Sequence, residues 1–320
     1  MTNLEQKLYD VGLFPVITLK NVENAAGVAH ALCEGGLPAA EVTFRVPGAA
    51  EVIRRMLEAE PDMLVGAGTV LTREQADEAI AAGARFIVTP AFSSDIVKYC
   101  IEKQIPIMPG CATPSDVEAA RALGLTTVKI FPAEAIGGLP AIKAISAPYH
   151  MMKFVPTGGV SAENVTAYLS CPSVIACGGS FMMKSDMLEE GRFDEIRAAV
   201  REAVNAIFGF KLYHIGINAG KEADAGVRLL SEMFGQPVRE FPGAYFYGNW
   251  FEVIRGENGR GRVGHIGIET DCIERAVAYF KRRGFDFIDE SAGYDEKGKL
   301  TVIYFRDEIM GYALHLSQRK

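Results

Sequence analysis

Eight short apolar runs punctuate the first two thirds of the chain, each followed by a stretch with the 3.6-residue periodicity of an amphipathic helix. They are FPVITL from Phe14, AAEVTF from Ala39, MLVGAGTV from Met63, FIVTP from Phe86, PIMPGC from Pro106, TVKIFP from Thr127, KFVPTGG from Lys153 and VIACGGS from Val174, recurring at roughly 20 to 26-residue intervals. Intervening pieces such as TREQADEAIAAGA and TPSDVEAARALG open on Thr caps and close on Gly, as helices do. Eight βα units in about 200 residues predict a (β/α)8 TIM barrel. A doubly wound open sheet is the alternative. The count of eight favours the barrel, as do glycine-rich ends on the last two strands, where such barrels hold phosphate.

The helical pattern FDEIRAAVREAVNAIF ends this series, with Ile196, Ala199, Val200, Ala203, Val204 and Ile207 on one stripe. A different pattern begins near Gly209, without a Pro-, Ser- or Gly-rich linker. Here YHIGI (from Tyr213) and GHIGI (from Gly264) place His214 and His265 51 positions apart, and each opens strand, amphipathic helix, further strands. The repeat predicts a smaller α+β domain of two βαβββ units. The expected domains are therefore 1–208 and 209–320.

Strand parity then brings in chemistry. Alternating residues face opposite sides of a strand, so Glu41, Thr43 and Arg45 share one face while Val42 and Phe44 share the other. The apolar set must meet the helices, which turns Glu41 and Arg45 into the barrel. The same logic points Lys129 and Phe131 inward and Val128 and Ile130 outward. Thr69, after the third strand, adds a hydroxyl at the carboxyl-terminal rim, where such barrels keep their chemistry. A structural ion network is the competing reading, with Arg45 neutralising Glu41 and Lys129 paired to Glu134. Against it, burial disfavours a charged amine, and that is how a lysine becomes a nucleophile. Beyond the last two strands, glycines let backbone N–H groups approach an anion, and Ser180 adds a donor.

Composition narrows the function class. With 320 residues, 49% hydrophobic and 23% charged, the chain can bury a sizeable core, and no apolar run approaches membrane-spanning length. The N-terminus lacks a basic segment followed by an uninterrupted apolar one, which predicts a cytoplasmic protein. Six cysteines without Cys-x-x-Cys spacing suit free thiols. A net charge of -7 argues against a nucleic-acid partner and leaves a small anionic substrate open.

The ordered set EVTFR (Glu41 to Arg45), GAGTV (Gly66 to Val70), PGCATP (Pro109 to Pro114), KIFPAE (Lys129 to Glu134), PTGGV (Pro156 to Val160) and GGS (Gly178 to Ser180) resembles the 2-keto-3-deoxy-6-phosphogluconate aldolase family, which includes 4-hydroxy-2-oxoglutarate aldolases. The resemblance covers residues 1–207. It implies a pyruvate-forming class I aldolase that works through a lysine Schiff base on a small keto acid, without a metal or other cofactor, usually as a homotrimer. Carried over residue by residue, it makes Lys129 the Schiff-base lysine and Glu41 the acid/base. It has Arg45 clamp the keto-acid carboxylate with Thr69 assisting, Pro90 and Phe131 supply apolar wall, and Thr157, Gly158, Gly159, Gly178, Gly179 and Ser180 bind phosphate. Phe181 departs from the Trp that family members often carry after GGS. The other function class is a non-catalytic barrel that keeps only a phosphate or keto-acid site; an intact Glu41, Arg45, Thr69 and Lys129 set favours the enzyme.

The C-terminal half, closing on FRDEIMGYALHL, resembles the vicinal oxygen chelate superfamily, the glyoxalase and dioxygenase fold. The resemblance implies a divalent metal held by His214, Glu252, His265 and His315, with His315 standing where that family usually has Glu. Three imidazoles and a carboxylate suit zinc, nickel or manganese. Strand histidines facing a polar cleft without metal remain the other reading.

Overall fold

The structure, a computed structural model, describes residues 1–256 and 259–319. The chain divides into two compact units, Met1–Ile207 and Phe208–Lys320.

In the first unit the strands are β1 Leu13–Ile17, β2 Ala39–Thr43, β3 Leu64–Gly68, β4 Ile87–Val88, β5 Ile107–Met108, β6 Gly110–Cys111, β7 Thr127–Ile130, β8 Lys153–Pro156 and β9 Cys177–Gly179. The apolar run PIMPGC supplies both β5 and β6, because Pro109 between them has no N–H to give a ladder. Below that break it pairs with β4, and above it with β7. Every pairing is parallel and follows chain order from β1 to β8. Bridges Phe154↔Val174 and Thr157↔Gly178 join β8 to the last strand, and Leu13↔Cys177 returns β9 to β1. The ring of eight strand segments closes as a barrel, so the open sheet is not the arrangement adopted.

Helices alternate with these strands where the caps foretell them. Thr72, Ser93 and Thr113 accept backbone N–H bonds at the starts of Arg73–Ala81, Ser94–Glu102 and Pro114–Ala122. The outward residues Val42, Val128 and Ile130 are buried to 1% exposure or less, each worth about 1.5–3 kcal/mol of apolar burial. One tie bears on the site: Glu5, in the helix Asn3–Val11, accepts hydrogen bonds from the hydroxyls of Thr126 and Thr127 where β7 begins.

The second unit comprises β10 Lys211–Asn218, helix Ala223–Phe234, β11 Val238–Phe241, β12 Ala244–Tyr247 and β13 Phe251–Ile254, then β14 Gly264–Thr270, helix Ile273–Arg282, β15 Phe287–Tyr294, β16 Leu300–Phe305 and β17 Tyr312–Gln318. Each half has the order βαβββ. Together they form one eight-stranded sheet in the order β11-β12-β13-β10-β14-β17-β16-β15. The two opening strands, β10 and β14, pair antiparallel at its centre. The two histidine-bearing repeats are thereby laid side by side.

Candidate functional site

Lys129 Nζ lies 3.0 Å from Glu41 Oε1 and 3.3 Å from Oε2. Their strands, β7 and β2, are not neighbours in the ring, so this contact crosses the barrel interior. The pair is almost sealed from solvent, with Lys129 5% and Glu41 0% exposed. Taking both charges out of water costs several kcal/mol per ion, and apolar residues of similar size would serve stability as well or better. A buried pair of this kind is therefore better explained by chemistry than by folding. Gly68 makes room for it: a Cβ there would stand 2.2 Å from Glu41 Oε1.

The ion network considered as an alternative is not the one formed. Glu134 instead accepts a hydrogen bond from the Tyr168 hydroxyl, while Lys129 pairs with Glu41. Arg45 also departs from strict parity. β2 ends at Thr43, and Arg45 stands exposed in the turn that follows, so it reaches the mouth rather than Glu41.

An open cavity of about 460 Å³ occupies the carboxyl-terminal mouth. It is bordered by Arg45, Phe131, Thr157, Gly158, Gly159, Gly178, Gly179 and Ser180, which brings the expected clamp and the residues expected to bind an anion onto one space. Phe131 connects it to the buried lysine, whose Nζ is 5.3 Å from the ring centre. Gly158 and Gly159 have φ of +93° and +82°, where only glycine sits without strain. Thr157 Oγ1 is buried beside the same space and has no hydrogen-bond partner among the described residues. Thr69 and Pro90 are not among the bordering residues. Thr69 has already left β3 with φ +57°, and its neighbour Val70 donates its N–H to the Val88 carbonyl of β4.

In the second unit, His214, His265 and His315 converge, with one ring nitrogen from each lying within 4.8 Å of the others. Glu252 joins them, its Oε2 3.2 Å from His214 Nε2 and 3.1 Å from His265 Nε2. All three histidines are buried. Burial, with His214 and His265 alongside, pushes His315 down to about 3, so its imidazole is neutral and able to donate a lone pair. Burial raises the Glu252 carboxyl, but hydrogen bonds from His214 and His265 outweigh it and bring it down to about 2. Ser317 Oγ, 3.1 Å from His315 Nδ1, fixes that ring from behind. One carboxylate facing three imidazoles at this spacing fits a first-row divalent ion.

Several residues at these sites carry no strong signal in the sequence. Val16, Thr18, Met183, Ser185 and Leu188 also border the barrel cavity, and Thr18 is bonded to Thr43 at 2.7 Å. The position of Thr18 just past the first strand was the available signal. Gly216 and Gly267 are the equivalent glycines of the repeated HIGI. A Cβ on Gly216 would lie 2.0 Å from the His265 ring, and one on Gly267 would lie 2.7 Å from His315 and 3.1 Å from His214. Each glycine clears the space the imidazoles occupy.

Comparison with known proteins bears on the first unit. The family described as "Aldolase: KDPG and KHG aldolase" matches residues 4–199. The 2-dehydro-3-deoxy-phosphogluconate aldolase of Treponema pallidum is 41% identical over 207 residues, spanning 65% of this chain and 99% of that protein. The KHG/KDPG aldolase of Escherichia coli K12 is 40% identical over 203 residues, 63% of this chain and 95% of its own. Among solved structures, the KDPG aldolase of Legionella pneumophila, with pyruvate captured as a covalent carbinolamine, aligns at TM-score 0.60 and 34% identity, covering 62% of this chain and 97% of that one.

Proposed function

We propose, from the premise that this chain belongs through residues 4–199 to the KDPG and KHG aldolase family, that Lys129 forms the Schiff base and Glu41 moves its protons. The barrel is a pyruvate-forming class I aldolase, a carbon–carbon lyase acting on 2-keto-3-deoxy-6-phosphogluconate, 4-hydroxy-2-oxoglutarate or both. The observation that carries the residue assignment is the buried 3.0 Å contact between Lys129 Nζ and Glu41.

The chemistry follows from that contact. Glu41 removes a proton from the Lys129 ammonium, and the free amine attacks the C2 carbonyl to give a carbinolamine. Glu41 then protonates the departing hydroxyl, and water leaves as the imine forms. With the iminium in place, Glu41 takes the C4 hydroxyl proton, the C3–C4 bond breaks, and its electron pair moves through the enamine toward the iminium nitrogen. Reprotonation at C3 and hydrolysis release pyruvate. Imine chemistry supplies the electron sink without a metal. Arg45, at the cavity mouth, is assigned the carboxylate clamp because its planar fork matches two oxygens, and Thr69, next to Gly68, assists. Phe131 and Pro90 are assigned apolar wall. Thr157, Gly158, Gly159, Gly178, Gly179 and Ser180 are assigned the distal anion, supported by their common border on one cavity.

Pyruvate release from the two aldols, measured side by side with full-length protein, tests this reading and ranks the substrates. Release from neither would defeat it. Assembly as a homotrimer belongs to the same proposal through the family resemblance, and sedimentation of the full chain tests it. Among the described residues no helix is long and apolar enough to cross a membrane.

For the second unit we propose a glyoxalase-like domain holding one divalent ion through His214, Glu252, His265 and His315. Support comes from their convergence at the centre of the sheet and from the βαβββ duplication. Bound there, the ion would act as a Lewis acid toward oxygens of an organic ligand.

A further inference from the structure

The histidine cluster has a cation on each side. Cross-strand register puts Arg239 of β11 opposite Phe246 of β12, and Phe246 opposite Glu252 of β13. The Arg239 guanidinium lies 5.7 Å from the centre of the Phe246 ring, which packs T-shaped with the His214 imidazole at 5.5 Å between ring centres. The other half repeats this arrangement with different residues. Tyr304 of β16 is the cross-strand partner of His315, its ring 4.8 Å from that imidazole and 6.1 Å from His265. Arg260 lies over Tyr304 at 4.6 Å. Each guanidinium is thus one aromatic ring removed from the cluster. Stacking on a ring restricts the guanidinium while leaving its N–H edge open.

Their placement is held by structure around them. Asn218 Nδ2 donates to the Gly261 carbonyl at 2.9 Å, and Val263 N donates to Gly311 O at 3.0 Å, which pins the segment beside Arg260. Arg239 donates to the Gly248 carbonyl at 3.4 Å. Among the described residues neither arginine forms an ion pair with a carboxylate, in contrast to Arg255, which pairs with Glu240. Both are exposed.

Charge then selects the ligand. A divalent ion on three neutral imidazoles and one carboxylate leaves one net positive charge, which a single ligand carboxylate cancels. Two further cations at the rim are surplus for a monoanion. We propose that this site, resting on the metal reading above, takes a small dianionic acid: one end presents a carboxylate with a neighbouring oxo or hydroxy oxygen to the metal, and the second anionic group is held at one flank, by Arg239 or by Arg260. That is the class of acid, with a distal carboxylate or phosphate, that the barrel cleaves.

The test uses the full-length chain carrying Lys129→Ala, so that no imine forms in the barrel, loaded with Mn2+. Water-proton relaxation reads displacement of metal-bound water by 2-oxoglutarate, a dianion, and by pyruvate, a monoanion with the same chelating end. 2-Oxoglutarate should act at a concentration at least about tenfold lower. Adding Arg239→Gln and Arg260→Gln should shrink that ratio to about twofold while Mn2+ stoichiometry stays at one per chain. Equal action of the two acids, or a ratio unmoved by the arginine changes, would overturn the proposal with the metal site intact. Absence of bound Mn2+ in the chain with native histidines would overturn the metal reading itself, and this proposal with it. Replacing 2-oxoglutarate by 3-phosphoglycerate, which pairs a chelating 2-hydroxy acid with a phosphate, shows which distal group is preferred.

Discussion

Gly68 and Glu41 share a space that holds only one of a methyl group and a carboxylate. A Cβ on Gly68 would stand 2.2 Å from Glu41 Oε1 and 2.5 Å from its Cγ. Gly68→Ala should therefore push Glu41 off Lys129 while leaving strand β3 paired. Misplacement by about 1 Å can cost about 100-fold in rate. Turnover should fall by that order with the far-ultraviolet circular dichroism spectrum retained; unchanged turnover would show that the carboxylate has slack.

Glu41→Gln keeps the side chain's shape and removes its base. General acid/base catalysis contributes at least about 100-fold, so turnover should drop by that factor or more. Reductive trapping at Lys129 should persist in part, because the amine survives. Steady-state kinetics beside trapping yield separate the two roles, and near-normal turnover would make Glu41 a structural partner only.

Glu5 links the first helix to the strand that carries Lys129. Burial by itself would raise its carboxyl, but hydrogen bonds from Thr126, Thr127 and the Thr2 N–H outweigh this and hold it below its ordinary value. A depressed folded-state value stabilises the fold above the unfolded carboxylate range near 4.3, and that contribution disappears as pH falls through the lower folded value. Glu5→Gln should cost about 1–2 kcal/mol at neutral pH. The difference from the parent should narrow in acid. Urea midpoints at pH 7 and in the acid limb check both statements.

The barrel was legible in sequence because strand runs, caps and parity each carry local signals. Lys129 and Glu41 announced themselves as charges at inward positions between apolar neighbours. Arg45 shows where parity stops: it lies beyond the last residue of β2, and a turn obeys no alternation. The choice of Glu41 over Glu134 as partner of Lys129 was invisible, since it depends on distances across a closed ring. The split of PIMPGC at Pro109 follows from the missing N–H, although the apolar run itself is continuous. In the second unit His214 and His265 were found through the repeat. Gly216 and Gly267 carried the same repeat signal, and their purpose emerges only when β10 and β14 lie side by side.

Replacing His214 and His265 together by Ala should abolish binding of one divalent ion per chain, measured by elemental analysis of protein purified without a His tag. Aldol cleavage should be untouched, since all the residues assigned to it lie in the first unit. Chelators should likewise spare cleavage. Metal retained by the double variant would place the ion elsewhere.

The central claim is that Lys129 is the amine that becomes covalently bound to substrate. Pyruvate with sodium borohydride, followed by peptide mass spectrometry, tests it most directly. The expected result is irreversible inactivation, with one reduced pyruvate adduct per chain located on Lys129. An adduct on another lysine, or full activity after the same treatment, would contradict it.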